Sequence, residues 1–427
     1  MIKLERYLLI INFFLYFCLL LFSYSYVDLN LTVSQNPQVL FFINMMQKLG
    51  YFYRPQATLI YIILIIFTFS FFIFNLWLFY RNNVGLKYLK ISAIVNTLIL
   101  IFAYPFLSSD LFNYLFDAKI ILNYHLNPYT HKPLDFPGDE WLRFMRWTHR
   151  YSPYGPLWLG ISFITALFGF GKFILNFLAF KIFIGLFHLI NTYLIFKILH
   201  KTKPKSVLFG TAFYALNPLF LIEGVANAHN DIVLTAFILA SIYSIIIGRN
   251  LLSFLLLLAA SLVKYIPILN LPWLIWFSLN TLWMIPEESQ KSKNSLIKNI
   301  LNLTGMCNKN KIQTFIILNL LTLSVFTYLF SSFRITVPFV SSGATQVQFQ
   351  PWYLFWTLPL IALLGRIDIV IIAITTTLGA SLRYTPFLYY GDWGHSGTVL
   401  FMTLILWVPI FLASALISIH KFTNEKK

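Results

Sequence analysis

Two carboxylates in one short segment are the first residues whose type and spacing could do chemistry. Within residues 108–130, Asp110, Tyr114 and Asp117 follow one another at i, i+4 and i+7. If the segment is helical, this spacing places the three side chains on one face. A carboxylate in such a place can take a proton from a substrate hydroxyl. The alternatives are that Asp110 only caps the helix and that Asp117 only pairs with a nearby Lys or Arg.

A second polar group, EGVANAHNDI, occupies residues 223–232. A capping role at the start of the next apolar run explains Asp231 alone. It does not explain Glu223, His229 and Asn230 in the same segment. Histidine and carboxylates are metal ligands, so the segment leaves a divalent metal open. The spacing is not that of a known metal motif, and no cofactor is firmly implied.

Several isolated polar or aromatic residues complete the set of candidates. Two prolines and a glycine make residues 149–158 a rigid turn. Lys264 and Arg383 each stand between apolar runs, where a cation either snorkels to the membrane interface or holds a phosphate. Aromatic residues at 352–356 are typical of a membrane-interface belt. The candidate binding residues from these segments are Asn127, Tyr129, Arg150, Tyr151, Tyr154, Lys264, Gln350, Trp352 and Arg383.

The elements that position these residues must be membrane helices. Of 427 residues, 59% are apolar and 11% are charged. A soluble protein would carry about a quarter charged residues. The composition therefore indicates an all-α polytopic membrane protein. It excludes disordered chains and disulfide-stapled secreted domains.

Long apolar runs predict the membrane spans. We predict twelve, at residues 7–27, 57–80, 90–108, 173–199, 205–222, 231–248, 250–263, 265–283, 313–330, 351–365, 367–382 and 397–419. Clusters of Lys and Arg place both termini and a basic loop at 284–312 in the cytoplasm. The whole chain, 1–427, is then one integral membrane domain. Its net charge of +17 reflects topology and argues against nucleic acid as a partner.

This topology collects the polar candidates at the outer ends of the spans. The largest outer loop, 109–172, is expected to contain interfacial helices, including residues 156–170 at the membrane surface. Ionisable residues at membrane depth are functional candidates by default. We therefore predict one polar, outward-facing site under this loop. Lys181 and His188 share a face within the span 173–199, and the sequence assigns them no role.

The order of these motifs resembles a known family. The motifs are Ser109-Asp110, Tyr114, Asp117, Asn127-Pro128-Tyr129, Tyr151-Ser152-Pro153-Tyr154-Gly155-Pro156, Ala228-His229-Asn230-Asp231, Lys264-Tyr265-Ile266-Pro267 and Gln350-Pro351-Trp352-Tyr353. Together they resemble the polyprenol-phosphate-mannose-dependent mannosyltransferases of the GT-C glycosyltransferase superfold, over roughly residues 90–365. Members of that family usually read Tyr-Pro-Pro at the rigid turn, where this chain differs.

The resemblance implies a GT-C-like bundle of about twelve transmembrane helices and a reaction at the outer face. The donor would be a polyprenyl-phosphate sugar, with mannose the first choice, and the acceptor a lipid-linked or cell-envelope glycan. Asp110 matches the general base, and the sugar transfers with inversion. Asp117, Tyr114 and Tyr154 would shape the pocket. The residues that would contact phosphate or sugar hydroxyls are His229, Asp231, Lys264 and Arg383.

Two functions of other classes remain open from the sequence. A lipid or glycan flippase or transporter would also have twelve spans and cytoplasmic termini, but its ionisable residues should lie near the midplane. A polysaccharide ligase would use a polyprenyl-diphosphate donor and should carry more outer arginines than this chain does.

Overall fold

The computed structural model describes residues 3–282, 311–332, 335–336, 346–347, 349–393 and 395–425. In these ranges the regular secondary structure is helical except for one antiparallel pair of two-residue strands, β1 (Ile335–Thr336) and β2 (Gln346–Val347). The predicted all-α architecture is confirmed. Most of the predicted basic loop 284–312 lies outside the described residues.

Most of the chain is built from α-helices of very different lengths. In chain order they are α1 (Lys3–Ser23), α2 (Pro37–Gln47), α3 (Arg54–Tyr80), α4 (Leu86–Ile101), α5 (Asp110–Leu122), α6 (Pro156–Leu167), α7 (Phe173–Thr202), α8 (Val207–Ala215), α9 (Asp231–Ile246), α10 (Asn250–Val263), α11 (Leu271–Leu282), α12 (Lys311–Ser332), α13 (Leu358–Leu364), α14 (Ile367–Leu382), α15 (Thr385–Tyr390) and α16 (Ser396–Glu425). Short 3₁₀ turns lie at Tyr24–Tyr26, Pro133–Asp135, Glu140–Phe144, Pro204–Ser206, Ile266–Asn270 and Pro351–Trp356, and π-helical segments at Lys48–Phe52 and Phe220–Ala226.

Five helical segments of the described chain are long and apolar enough to cross a membrane. They are Lys3–Tyr26, Arg54–Tyr80, Phe173–Thr202, Ile367–Tyr390 and Leu400–Ile419. A sixth results if Pro204–Ala215 and Phe220–Ala226, bent by 54°, form one span. The other predicted spans coincide with shorter helices, so the number twelve stays a prediction. An apolar run indicates which residues avoid water, but prolines and polar breaks decide how long each helix is.

The chain breaks inside the bundle between α8 and α9. Asn217-Pro218 follows α8, the π-helical segment Phe220–Ala226 comes next, and Ala228 takes a positive φ of 58° before α9 starts. Every residue from 210 to 236 is buried. Backbone carbonyls freed by such a break have no water to bind, so protein groups must pair with them.

Polar side chains of α7 pair with the carbonyls of this break. Lys181 Nζ donates to the carbonyl oxygen of Val225 at 2.6 Å and to that of Ala226. His188 Nε2 hydrogen-bonds the carbonyl at the end of α8 at 3.2 Å. Asn191 donates to a carbonyl of the first turn of α9 at 2.9 Å. The predicted shared face of Lys181 and His188 is thus the face that holds the break.

The loop 109–172 is fastened against the end of α10 at Gly155. Its amide donates to the carbonyl of Val263 at 3.0 Å. A Cβ added at Gly155 would lie 2.1 Å from the carbonyl oxygen of Leu262, so only glycine fits this approach. The contact holds the turn at 151–155 beside Lys264, which follows α10 directly.

Cysteine labelling tests the predicted orientation. We expect an impermeant maleimide to label Glu140→Cys in intact cells, and Lys201→Cys only after permeabilisation, in a chain whose Cys18 and Cys307 are serines. One span, α7, then separates the two positions. Labelling of both from the same side would mean that α6 also crosses the membrane.

Candidate functional site

Asp110 is the first residue of α5, and its carboxylate meets three side chains from other segments. Arg150 donates to Oδ1 at 3.4 Å, and the Tyr154 hydroxyl donates to Oδ2 at 3.4 Å. Nδ1 of His229 lies 3.8 Å from Oδ2. Ser109 is the N-cap residue and makes no side-chain cap hydrogen bond. Asp110 is thus the first helical residue and not the N-cap, and its side chain is 15% exposed, so a substrate can reach it.

His229 lies between two carboxylates. Its Nε2 is 3.3 Å from Oε2 of Glu223, on the side opposite Asp110. The imidazole stacks on the indole of Trp352 with 3.8 Å between ring centroids. Asn227 donates to the same Glu223 oxygen at 2.9 Å. The imidazole therefore lies between a partly exposed carboxylate, that of Asp110, and a buried one, that of Glu223.

Asp231, which is fully buried, forms an ion pair with Lys264, whose side chain is 21% exposed. Lys264 Nζ lies 3.1 and 3.0 Å from the two carboxylate oxygens, and the Trp356 indole donates to one of them at 2.7 Å. The ammonium also lies over the Tyr353 ring, 5.1 Å from its centroid. Lys264 thus has the Asp231 carboxylate as its partner, and the N-cap position of α9 is occupied by Asn230 rather than Asp231.

Tyr114 packs against Tyr154, one of the side chains that contact Asp110. Its buried ring meets the rings of Tyr154 and Trp158 edge to face, at 4.9 Å in each case. Burial, the neighbouring Asp110 carboxylate and Asp117 raise the pKa of Tyr154 well above its usual value. The Tyr154 phenol therefore stays protonated and remains a hydrogen-bond donor to Asp110.

Arg150 is the cation that the two acids of α5 share. Burial alone would lower its pKa, but Tyr154, Asp110 and Asp117 outweigh burial and raise it. Burial raises the pKa of Asp117 to about 7, although Ser152 and Arg150 act against this. Asp117 is only 3% exposed. The two acids share a helix face, as predicted, but only Asp110 lies at the opening.

The remaining predicted residues surround this centre. Asn127 accepts a hydrogen bond from the Tyr129 amide at 2.9 Å, and the Tyr129 hydroxyl donates to the Tyr154 carbonyl at 2.8 Å. Both shape the turn rather than contact Asp110. The half-buried Tyr151 ring lies under Lys132, with Nζ 5.6 Å from its centroid.

Two further predicted residues, Gln350 and Arg383, make no hydrogen bond or ion pair to Asp110 or His229 in the described residues. Gln350 precedes the 3₁₀ turn Pro351–Trp356, which brings the Trp352 indole onto His229. The buried guanidinium of Arg383 lies 5.3 Å from the Phe349 ring centroid.

Some site residues are absent from the sequence-based set. Trp356 and Tyr353 clamp Lys264, and Asn227 orients Glu223. Each of these residues lies in a motif already singled out, but its type suited a membrane belt or a helix end.

The predicted residue Asn230 is fully buried, and its side-chain amide has no hydrogen-bond partner in the described part of the chain.

The described residues contain no group of three or more His, Cys, Asp or Glu side chains placed to hold a metal ion. Asp110, His229 and Glu223 come close to one another, but the two carboxylates face opposite nitrogens of the imidazole. They therefore do not converge on one point, as ligands of a single ion must.

Comparison with known families places most of this site in one matched region. Residues 31–280 match the family model described as Alpha-(1->6)-mannopyranosyltransferase, N-terminal domain. The match covers more than half of the chain and includes Asp110, Arg150, Glu223, His229 and Lys264. No curated protein and no solved structure matches the chain.

The raised pKa of Asp117 predicts a pH-dependent stability. Between about pH 4 and 7 the unfolded chain ionises this carboxyl while the folded chain keeps it protonated, so stability falls as the pH rises. We expect Asp117→Asn to remove this loss. At pH 8 the variant's free energy of unfolding would exceed that of wild type by up to about 4 kcal/mol, since the pKa differs by about three and each pKa unit is worth about 1.36 kcal/mol. At pH 4 the two proteins would be almost equally stable.

Thermal unfolding in detergent at several pH values measures this effect. Glu140→Gln, which removes an exposed acid of the same loop, is the control, and its Tm should change with pH as that of the wild type does. An Asp117→Asn variant that loses stability between pH 4 and 7 as the wild type does would contradict the assignment.

Proposed function

The chain belongs to the alpha-(1->6)-mannopyranosyltransferase family, and from this we propose that it transfers mannose from a polyprenyl-phosphate donor at the outer membrane face. The acceptor is a lipid-linked or cell-envelope glycan. The observation that carries the proposal is Asp110, a carboxylate open to solvent that sits above a buried chain of polar groups. The apolar helices fit an integral membrane protein and give a lipid donor access from the bilayer.

The proposed reaction is one displacement at the anomeric carbon. The acceptor hydroxyl oxygen forms a bond to that carbon while the bond to the phosphate oxygen breaks. The hydroxyl proton passes to the Asp110 carboxylate, and polyprenyl phosphate leaves with the bonding electron pair. One base suffices for inversion. Since the family is named for an alpha linkage, inversion requires a donor whose mannose is beta-linked.

Asp110 fits the role of base better than Asp117 does. Asp110 is partly exposed, whereas Asp117 is buried, and burial raises the pKa of its carboxyl to about 7. Arg150 and Tyr154 fix the Asp110 carboxylate from one side, and His229 faces its second oxygen. The base therefore has one orientation, as proton transfer to a positioned group requires.

The donor phosphate needs a cation whose charge is not already paired. Lys264 is bound to both oxygens of Asp231, and Arg150 is bound to Asp110. No Asp or Glu of the described chain forms an ion pair with Arg383. A guanidinium suits a phosphate because it can donate two parallel hydrogen bonds. We therefore assign the phosphate to Arg383 and a structural role to Lys264.

Removal of the base tests the reaction directly. In liposomes supplied with radiolabelled polyprenyl-phosphate mannose and a lipid and glycan acceptor extract, wild type should transfer label. Asp110→Asn should lower kcat by about 10²- to 10⁴-fold with the donor KM nearly unchanged. Glu140→Gln is the matched control, because it neutralises an exposed acid of the same outer loop.

Two results would count against this mechanism. Full activity in both Asp110→Asn and Asp117→Asn would exclude either acid as the base. If folded wild-type protein used no monophosphate donor, a flippase or a polysaccharide ligase would become the better interpretation.

A comparison of two cation variants tests the phosphate site. We expect Arg383→Gln to weaken inhibition by a short prenyl phosphate roughly 10- to 100-fold, the loss of one charge-assisted hydrogen-bonded contact. Lys264→Gln should instead lower the Tm, because it leaves the buried Asp231 carboxylate without a cation. Arg366→Gln, which breaks an exposed ion pair, is the control. A larger effect on inhibition from Lys264→Gln than from Arg383→Gln would reverse the assignment.

A further inference from the structure

Lys181 is a buried lysine in the first third of α7, one of the helices long enough to span the membrane. Its side chain is fully buried, and no Asp or Glu of the described residues pairs with it. A cation at such a depth is costly and marks a functional position by default. Its hydrogen-bond partners are the carbonyl oxygens of Val225, at 2.6 Å, and of Ala226.

These two carbonyls close the π-helical segment Phe220–Ala226, just before the site. Ala228 then reverses the backbone with its positive φ, and His229 follows. The carbonyl end of a helical segment carries partial negative charge and attracts a cation. The Lys181 ammonium therefore fixes the backbone three to four residues before His229.

Glu223 belongs to the same π-helical segment. The His229 amide donates to the Glu223 carbonyl at 3.2 Å, and their side chains lie 3.3 Å apart. A shift at the end of the segment would therefore move both partners. Because His229 also faces Asp110 at 3.8 Å, such a shift would change what surrounds the base.

We propose that Lys181 is a positioning residue, whose ammonium holds the end of the π-helical segment so that His229 stays between Glu223 and Asp110. The inference rests on the proposed function, because its effect is expected in sugar transfer. Lys181 touches neither substrate, so it acts through His229. The sequence assigned no role to this lysine, and its place at the break supplies one.

His188 offers a matched comparison on the same helix. It hydrogen-bonds the carbonyl of Ala215, on the other side of the break, at 3.2 Å. Both side chains therefore stabilise the break, but only Lys181 binds next to His229. A purely structural role for Lys181 predicts that Lys181→Met and His188→Phe behave alike.

The experiment is a double-mutant cycle on transfer by the full-length protein in liposomes, with Tm measured on every variant. The variants are Lys181→Met, His188→Phe, His229→Ala and the two doubles with His229→Ala. We expect Lys181→Met to lower kcat about 100-fold, the scale of a misplacement near 1 Å, with little change in donor KM. His188→Phe should lower the Tm and leave the kcat of the folded protein within about threefold of wild type.

The double mutants with His229→Ala distinguish a positioning role of Lys181 from an effect on stability alone. If Lys181 acts through His229, adding Lys181→Met to His229→Ala should cost no further kcat, because interacting sites are not additive. Additive losses in kcat would overturn the proposal, and so would a wild-type kcat in Lys181→Met.

A second variant covers failure to fold. Lys181→Gln keeps one hydrogen-bond donor and should fold with an intermediate kcat. If neither Lys181 variant folds while His188→Phe does, the residue is structural and the proposal is wrong. If wild type itself transfers no sugar, the proposed function fails first and this inference fails with it.

Discussion

The structure depends on one constraint, which is that a backbone broken inside an apolar bundle must still pair its carbonyl groups. Residues 210–236 are buried throughout, yet this stretch contains a proline break, a π-helical segment and a residue with positive φ. An unpaired backbone group in such surroundings costs several kcal/mol. The polar face of α7 pairs three of these carbonyls, those of Ala215, Val225 and Ala226. The break between α8 and α9 brings Glu223, His229 and Asp231 close together.

A second constraint orders the charges within that place. Buried carboxylates are stable only when they are paired and hydrogen-bonded. Asp231 has Lys264 and the Trp356 indole, and Asp110 has Arg150 and the Tyr154 hydroxyl. This pairing leaves Arg383 without an acid in the described chain.

The loop 109–172 contributes Asp110, and close packing keeps this residue in place. Asp110 and Tyr154 lie 44 residues apart in the sequence, and they meet because the turn at 151–155 is pressed against α10. Gly155 allows that approach, since a Cβ there would overlap the carbonyl of Leu262. The same contact places the turn next to Lys264, so the Asp110 cluster and the Asp231 pair share one wall.

The sequence by itself determined the class of protein and the helical architecture, and it supplied the candidate site residues, whose roles stay predictions. Composition required membrane helices, and the spacing of Asp110, Tyr114 and Asp117 correctly predicted a helix with all three on one face. The motif resemblance pointed to the family that the comparison then showed. These features could be predicted because they depend on local spacing and on the exclusion of apolar side chains from water.

Only the tertiary structure decided which partner each polar residue has. Lys264 and Arg383 look alike in the sequence, each a lone cation between apolar runs, yet one is bound to Asp231 and the other has no acid in the described chain. Lys181 had no assigned role until its ammonium was found on the carbonyls before His229. The physical reason is that pairing depends on distances between segments far apart in the chain, and periodicity along one helix contains no information about them.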